Sequence, residues 1–420
     1  MSTFDIAQPH YFAGGTYHQS QGLPNAVIDS ARLETVGMIC EVTEAEREAV
    51  LDLATAAQRK WRALDAKTRA TVLHRIANRI EATDMRRCAE IMSREMGKPY
   101  PEAIGEVANC AGAFRYFAEM ARDEAGKVAG TTQAGSFQFA RYEALGLSVH
   151  IMPFNFPILL MCWTVAASLA SGNGCIIKPA LATTLSTLEF MQVFADLPDG
   201  LIACLPGGVA LAETLIASPK THAVAFTGSV AAGRAVAMAA ASQMKPVVIE
   251  AGGSDPMIIT SNAPLDVAAA GAVTAAFHMS GQVCTSAERF FVVDAVHDDF
   301  ITKFVAEAKR LRIGDGLSKA EIGPLVSEAA RAKVMRLVDD AVAKGAKVEI
   351  GGHVDAMGAL FYQPSVLTHV TQDMEVFSTE IFGPVAPLFK FGSEDEAIKM
   401  ANDTPFGLAA YAYTRDIGRA

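Results

Sequence analysis

A cysteine and a glutamate, each close to glycines, are the residues of this sequence with the clearest chemical potential. Cys284 lies in the stretch GQVCTSAER at 281–289, and Glu250 opens the stretch EAGG at 250–253, at the end of an apolar run. A thiol and a distant carboxylate, each on a loop next to a predicted strand, could act as nucleophile and general base. A single cysteine is more often a small buried residue than a catalytic one, so Cys284 alone does not identify a reaction.

Short motifs that follow one another along the chain carry more information than either residue. They are PFNFP (153–157), IKP (177–179), FTGS (226–229), EAGG (250–253), GQVC (281–284), IGPL (322–325), EIFGP (380–384) and NDTPFGL (402–408). Each motif is weak by itself, but in this order they resemble the aldehyde dehydrogenase superfamily over nearly the whole chain. The resemblance implies oxidation of an aldehyde to the carboxylic acid, with NAD or NADP as cofactor.

Composition excludes several other classes of protein. The net charge of −10 and the pI near 5.5 argue against non-specific binding to nucleic acid or to an anionic membrane. The seven cysteines form no CxxC pair and the N-terminus does not look like a signal peptide, so we expect reduced thiols in a cytoplasmic protein. The nine histidines lack the paired spacing of metal ligands, and no metal site is predicted.

The order of predicted elements indicates the domains. Short apolar strands alternate with helices from 147 to 250, which predicts a parallel sheet of Rossmann type, and a second α/β set follows. We expect an aldehyde dehydrogenase-like α/β fold, with a cofactor-binding domain at 1–126 and 148–251 and a catalytic domain at 252–420. Residues 127–147 are typical of a hairpin. In the family this place holds a protruding oligomerisation arm, and a simple surface hairpin is the alternative that the sequence leaves open.

The resemblance also implies catalytic roles. Cys284 would be the nucleophile that forms first a thiohemiacetal and then a thioester. Asn155 would donate its side-chain amide to the oxyanion, with the backbone N–H of Cys284 as second donor. Glu250 would take a proton from the thiol or from the hydrolytic water. Family members that pass the thioester to coenzyme A lack this carboxylate, so hydrolysis to the free acid is favoured.

Residues of three motifs are implied in cofactor binding. Lys178 would reach the adenosine ribose, and Gly228-Ser229 would open a helix whose N-terminal amides favour phosphate, although a plain helix cap explains this pair equally well. Glu380 would hold the nicotinamide ribose, and Phe382 would pack beside the ring.

Two departures from the family bear on the choice between NAD and NADP. Leu181 stands where many NAD-using relatives carry a glutamate that binds the ribose 2′-hydroxyl. Phe154 replaces a tryptophan that is common there, and this removes an indole donor to the pyrophosphate.

For the substrate, the resemblance places Phe156, Met161 and Trp163 along the aldehyde tunnel, with helix core as the alternative for Met161. Relatives that act on succinate semialdehyde usually carry an arginine in this helix, whereas no basic residue falls between Asn155 and Ile177. An aldehyde that bears a carboxylate is therefore less favoured than an apolar, aromatic or aminated one.

Two further expectations and two rival interpretations complete the sequence-based prediction. For the complete protein we expect a homodimer or homotetramer. Because the family normally continues beyond Ala420, we expect poor assembly of a chain that ends there. The first rival is a coenzyme A-acylating semialdehyde dehydrogenase. The second is a catalytically weak or structural relative, and the combination of Cys284, Glu250, Asn155 and Lys178 speaks against it.

Overall fold

The structure is a computed structural model that describes residues 11–123, 126–130 and 133–420. Residues 1–10 and 124–125 of the predicted cofactor-binding domain, and 131–132 of the predicted hairpin, lie outside the described residues. The chain divides into two compact units. Unit 1 contains the residues up to Ile28, Thr35–Met92 and Ala103–Glu250, and unit 2 contains Asp29–Glu34, Ser93–Glu102 and Ala251–Ala420.

Strands and helices alternate through most of the chain. The strands are β1 (Tyr11–Ala13), β2 (Thr16–His18), β3 (Pro24–Ile28), β4 (Thr35–Cys40), β5 (Gly126–Val128), β6 (Phe139–Arg141), β7 (Leu147–Ile151), β8 (Gly174–Lys178), β9 (Ile202–Cys204), β10 (Thr221–Gly228), β11 (Val247–Ala251), β12 (Asp255–Ile259), β13 (Ala287–Val293), β14 (Lys347–Ile350), β15 (Ser365–Thr368), β16 (Val385–Phe391) and β17 (Tyr411–Tyr413). The α-helices are α1 (Glu44–Arg62), α2 (Ala66–Ala82), α3 (Arg86–Met96), α4 (Tyr100–Met120), α5 (Leu159–Ala170), α6 (Thr184–Phe190), α7 (Val209–Ala217), α8 (Val230–Ser242), α9 (Leu265–Phe277), α10 (His297–Ala308), α11 (Glu328–Ala343), α12 (Glu375–Ser378) and α13 (Glu394–Asn402).

The main sheet of unit 1 is the predicted Rossmann-type sheet. Among the described residues its strand order is β11-β10-β7-β8-β9-β1-β2. Strand β7 pairs in parallel with β10 on one side and with β8 on the other, and all five residues of β7 and of β8 are buried. Strands buried on both faces read as continuous apolar runs, which is why the alternation with helices was visible in the sequence.

The main sheet of unit 2 has the order β14-β15-β16-β13-β12-β17 among the described residues. Strand β13 pairs in parallel with β12 and β16. Its successive side chains pack into two apolar clusters. Phe291 belongs to a cluster that includes residues of α11, whereas Phe290 and Val292 belong to a cluster that includes residues of α9 and α10. Both faces of this sheet are therefore covered, as in other α/β folds.

Two short segments, Asp29–Glu34 and Ser93–Glu102, belong to unit 2. The sequence-based division placed both in the cofactor-binding domain. Around Gly97 and Lys98 the chain runs against the backbone of unit 2: a Cβ at Gly316 would come within 2.4 Å of the Lys98 carbonyl oxygen, and one at Gly323 within 1.9 Å of that of Gly97. The amide of Tyr100 also donates to the Gly316 carbonyl at 2.8 Å. These contacts join residues far apart in sequence, so no local pattern could predict them.

Local signals for helix ends were more informative. The spacing of Thr43 and Glu46 predicts a capping box, and the two residues form one at the start of α1; Asp65 caps α2 by accepting from the Thr68 amide at 2.8 Å. Thr83 is also a residue type that predicts a helix start, but it ends α2, and its hydroxyl donates backward to the Arg79 carbonyl at 2.7 Å.

Strands β5 and β6 form the predicted antiparallel hairpin, with Gly126 opposite Arg141. Phe137, Phe139 and Tyr142 on this hairpin are exposed. Within the described ranges, no helix combines the length and apolarity needed to cross a membrane.

Candidate active site

Several predicted site residues of unit 1 lie at the carboxyl ends of neighbouring strands. Ile151, the last residue of β7, is opposite Lys178 in β8 and Phe226 in β10. The PFNFP loop, Lys178 and the Gly228-Ser229 pair therefore leave the same edge of one sheet. This edge is where parallel sheets bind their ligands.

Asn155 is buried, and its side chain has a fixed orientation. Its Oδ1 accepts from the Phe156 amide at 3.1 Å, which directs the Nδ2 hydrogens away from that backbone. An amide nitrogen held in this way can donate to an oxyanion without reorganisation. Phe154 and Phe156, on either side, are half-buried.

The start of helix α5, directly after this loop, is held by a buried carboxylate that sequence analysis did not identify. Oε1 of Glu106, on α4, accepts from the amides of Ile158 at 2.9 Å and Leu159 at 3.1 Å. The first amides of a helix have no partner within the helix, and a carboxylate there also interacts favourably with the helix dipole. Glu106 therefore fixes the helix that follows Asn155. The apolar surroundings of this glutamate in α4 were its one signal in the sequence.

Lys178 is buried at the end of β8, and its Nζ donates to the Pro179 carbonyl at 3.0 Å. Burial lowers the pKa of this lysine, whereas the carboxylate of Glu41 raises it. Leu181 is half-buried and packs against an apolar cluster that includes Val27 and Ile39. Leu181 thus has an apolar structural role at the position where we expected a departure from NAD-using relatives.

Ser229 is the N-cap of helix α8, and its hydroxyl accepts from the Ala232 amide at 3.3 Å. A side chain at Gly228 would meet the ring of Phe226 within 2.7 Å. The pair therefore forms a helix cap, which was one of the two explanations that the sequence allowed. It also places a helix N-terminus at the ligand-binding edge of the sheet.

Glu250 lies in β11, on the far side of β10 from β7. It is half-buried, and burial raises the pKa of its carboxyl. A raised pKa brings a carboxylate closer to the value at which a general base is effective near neutral pH.

In unit 2, a strained turn precedes Cys284, the predicted nucleophile. Met279, Ser280 and Gly281 have φ angles of 49°, 57° and 71°. Only glycine adopts this left-handed region without cost, so two consecutive non-glycine residues there must be held by their surroundings. Gly281 itself is required, because a Cβ would come within 2.1 Å of the Gly383 carbonyl oxygen.

Side-chain hydrogen bonds hold this turn against the IGPL motif. The Ser280 hydroxyl donates to the Gly323 carbonyl at 2.8 Å, and Oε1 of Gln282 accepts from the Val326 amide at 2.9 Å. The IGPL motif suggested no chemistry in the sequence, and its structural function here is to anchor the loop that carries Cys284.

A carboxyl–imidazole pair lies at the base of the same turn. His278 Nδ1 is 3.3 Å from Oε1 of Glu102, and burial raises the pKa of Glu102 to about 7. Neither residue was identified from the sequence, since they are far apart in the chain and belong to no motif.

The two glycines of the EAGG motif lie against Cys284 and Glu380 within unit 2. A Cβ at Gly253 would lie 2.8 Å from the Cys284 carbonyl oxygen, and one at Gly252 would lie 2.1 Å from the Glu380 carboxylate. The Gly253 amide donates to Glu380, whose pKa burial raises. Cys284 and Glu380 are half-buried, so both remain accessible.

Comparisons with known proteins agree with this geometry. The model of the aldehyde dehydrogenase family matches residues 17–420. The chain belongs to this family. It is 37% identical over 398 residues to succinate-semialdehyde dehydrogenase [NADP(+)] of Escherichia coli, covering 94% of this chain and 82% of that protein. It is 36% identical over 425 residues to betaine aldehyde dehydrogenase of Mesorhizobium japonicum, covering 99% of this chain and 87% of the relative.

A solved structure supports the same conclusion for the fold. The crystal structure of betaine aldehyde dehydrogenase from Staphylococcus aureus in complex with NAD+ superposes with a TM-score of 0.93 at 27% identity, covering 98% of this chain and 84% of that one. The predictions of family, α/β fold class and reaction are confirmed. This protein is an NAD(P)-dependent aldehyde dehydrogenase that oxidises an aldehyde to the acid.

Both units of the dehydrogenase carry polar groups at positions predicted to bind the cofactor. In unit 1, these are the buried amine of Lys178 and the N-terminus of α8, a kind of helix end that favours anions. In unit 2, the Glu380 carboxylate occupies the space beside Gly252 that a larger residue would fill. Across the described part of the chain, no group of three His, Cys, Asp or Glu side chains could hold a metal ion.

An apolar groove of about 650 Å³ lies between α4 and α5 of unit 1. Its walls are Asn109, Gly112, Ala113, Tyr116, Phe117, Leu159 and Trp163. Trp163 is 51% exposed, whereas Met161 is fully buried. Because two residues along a helix are about 200° apart, Met161 points to the opposite side and does not line this groove. Leu159, one turn before Trp163, lines it and was not identified from the sequence.

Proposed function

We propose that Cys284, Asn155 and Glu250 carry out the oxidation through a covalent thioester. The packing of Gly253, the last residue of the EAGG motif, against the Cys284 backbone within unit 2 is the observation that carries this proposal. This packing supports a role for the EAGG motif next to the loop that carries Cys284.

The chemistry assigned to the chain's own residues has three steps. The Cys284 thiolate attacks the carbonyl carbon, and the developing oxyanion accepts hydrogen bonds from Asn155 Nδ2 and the Cys284 amide. A bound nicotinamide would supply the hydride acceptor for this carbon, and loss of the hydride would leave a thioester on Cys284. Glu250 then removes a proton from water as it attacks the thioester, and the acid leaves as the thiolate reforms.

For the cofactor, we propose that Lys178 and the helix start at Gly228-Ser229 hold the adenosine ribose and a phosphate, while Glu380 holds the nicotinamide ribose. Phe382 would flank the ring, and Phe154 would lie at the pyrophosphate. The raised pKa of Glu380 suits a carboxyl that hydrogen-bonds to hydroxyl groups. The domain division proposed with these roles is a cofactor-binding domain at 1–126 and 148–251, an oligomerisation hairpin at 127–147 and a catalytic domain at 252–420.

For the substrate, we propose an aldehyde that is apolar, aromatic or cationic and that passes through the groove. The groove walls are aromatic and aliphatic with one amide, Asn109, and no charged side chain. An aromatic face such as that of Trp163 stacks on rings and on cations, and Phe156 would lie near the carbonyl. An anionic aldehyde would find no cation among the groove residues, even though one relative is named for succinate semialdehyde.

Two broader proposals concern the protein in the cell. We propose a cytoplasmic homodimer or homotetramer that uses the hairpin predicted at 127–147 in assembly. The seven free cysteines and the exposed aromatic residues of the hairpin support this.

The experiment is a panel of an aromatic aldehyde, betaine aldehyde and succinate semialdehyde, followed by nucleotide reduction with and without coenzyme A. We expect the first two to have the higher kcat/KM and coenzyme A to have no effect. Trp163→Ala should raise KM for the preferred aldehyde. A clear preference for succinate semialdehyde would contradict the substrate proposal, and dependence on coenzyme A would contradict hydrolysis.

A further inference from the structure

A second carboxylate lies four residues after the nucleophile, buried at the start of β13. Glu288 is 3% exposed, and the next residues of the strand are also buried. Taking a carboxylate out of water is unfavourable unless hydrogen bonds replace the lost hydration. The partners of Glu288 therefore indicate what it is there to hold.

Those partners are two consecutive backbone amides of the EIFGP motif. Oε2 of Glu288 accepts from the Ile381 amide and Oε1 from the Phe382 amide, each at 2.7 Å. The carboxylate thus uses one oxygen for each amide. Bonds from amides to a charged acceptor are short and strong, and two parallel ones fix orientation as well as distance.

The segment held in this way is not a regular element. Phe382 has a φ of 52°, in the left-handed region that a residue with a side chain adopts only when its surroundings enforce it. Immediately before residues 381–382, the Glu380 carboxylate faces Gly252 and Gly253. Immediately after them, the Gly383 carbonyl abuts Gly281 at the base of the nucleophile loop.

We infer that Glu288 is a positioning residue, which holds the turn at 380–383 against the strand that follows Cys284 and thereby sets where the Glu380 carboxylate stands. This rests on the proposed contact of Glu380 with the nicotinamide ribose. Burial raises the pKa of Glu288 to about 8 even though the two amide donors lower it by favouring the ionised form, which accepts at both oxygens.

The test uses Glu288→Gln, which has nearly the same shape. Glutamine has one acceptor oxygen, so one amide loses its partner and faces an NH2 group instead. We expect the Kd for the nucleotide, measured by calorimetry without aldehyde, to rise by about ten- to a hundredfold. KM for the nucleotide should rise with it, while KM for the aldehyde stays within about twofold.

Two further variants make the result specific. Glu349→Gln, on β14, removes a half-buried carboxylate that accepts from the Thr368 hydroxyl at 2.7 Å, and it should leave nucleotide binding unchanged. Glu380→Gln should weaken nucleotide binding directly. If Glu288 acts through Glu380, the double variant Glu288→Gln, Glu380→Gln should bind no more weakly than Glu380→Gln alone.

The outcomes are distinguishable. Normal binding in Glu288→Gln with weak binding in Glu380→Gln would overturn the inference alone, as would additive losses in the double variant. Normal binding in Glu380→Gln would overturn the proposed ribose contact as well. If Glu288→Gln does not fold, hydrogen exchange of the unmodified protein decides. The amides at 381 and 382 should exchange slowly, and rapid exchange there would show that Glu288 does not hold them.

Discussion

In unit 1, Glu106 accepts two consecutive amides at the start of helix α5, and in unit 2, Glu288 accepts two consecutive amides of a turn that belongs to no helix. Glu106 uses one oxygen for both bonds, whereas Glu288 uses one oxygen for each. The amides of α5 beyond the first turn have partners within the helix, so the helix itself maintains the geometry after Asn155. The turn at 380–383 lacks that support.

The comparison teaches that the same residue type can serve stability in one unit and placement of a functional group in the other. A helix that is already cooperative needs a carboxylate at its end mainly for energy. A turn with a left-handed Phe382 needs one to exist in a single conformation. The predictions below separate loss of catalytic chemistry from loss of structural support. They also separate loss of folding stability from misplacement of a functional group.

The largest effect is expected in unit 2 at the nucleophile itself. Cys284→Ser should lower kcat by up to about 10⁶-fold, as removal of a catalytic nucleophile does elsewhere, because a serine hydroxyl is not ionised near neutral pH. Nucleotide binding should stay nearly normal, which separates loss of chemistry from loss of support. Substantial turnover by this variant would remove Cys284 from the mechanism.

The second effect concerns the base in unit 1. Glu250→Gln should lower steady-state turnover by roughly 10²- to 10⁴-fold because water activation needs the carboxylate. The acyl-enzyme can still form slowly, so rapid mixing should give a burst of reduced nucleotide without continued turnover. An unchanged steady-state rate would assign the base to another residue.

The third prediction tests the comparison directly. Glu106→Ala should lower the free energy of unfolding by about 1–3 kcal/mol, because two helix amides lose a buried acceptor. Glu106→Gln can keep both bonds through its single oxygen and should cost less than about 1 kcal/mol. Denaturant unfolding measures both. An equal loss in the two variants would mean that the charge, rather than the acceptor oxygen, supports α5.

The smallest effect concerns the cofactor at the carboxyl end of β8. Without a carboxylate at Leu181, NAD should lose about 1.5–3 kcal/mol of binding relative to a protein that has one, and NADP should lose a repulsion. We therefore expect kcat/KM for NADP at least equal to that for NAD. The neighbouring Glu41, which raises the pKa of Lys178, opposes this. A hundredfold preference for NAD would mean that another residue, with Glu41 the first to test, recognises the 2′-hydroxyl.

The sequence alone determined the chemistry and the order of the elements. Motifs such as EAGG and GQVC are local: EAGG begins at the carboxyl end of β11, and GQVC lies shortly before β13. The capping box at Thr43 and the cap at Asp65 were readable for the same reason: the donor and acceptor lie within one turn.

Tertiary structure alone decided which residues support the site. Nothing within α5 distinguishes the buried Met161 from the exposed Trp163, because a helix that is apolar on all sides has no pattern that marks its buried face. Glu106, Glu288 and the transfer of 93–102 to unit 2 depend on hydrogen bonds and backbone contacts between segments distant in the chain. Such contacts are fixed by packing, and the sequence records only that a carboxylate or a glycine stands there.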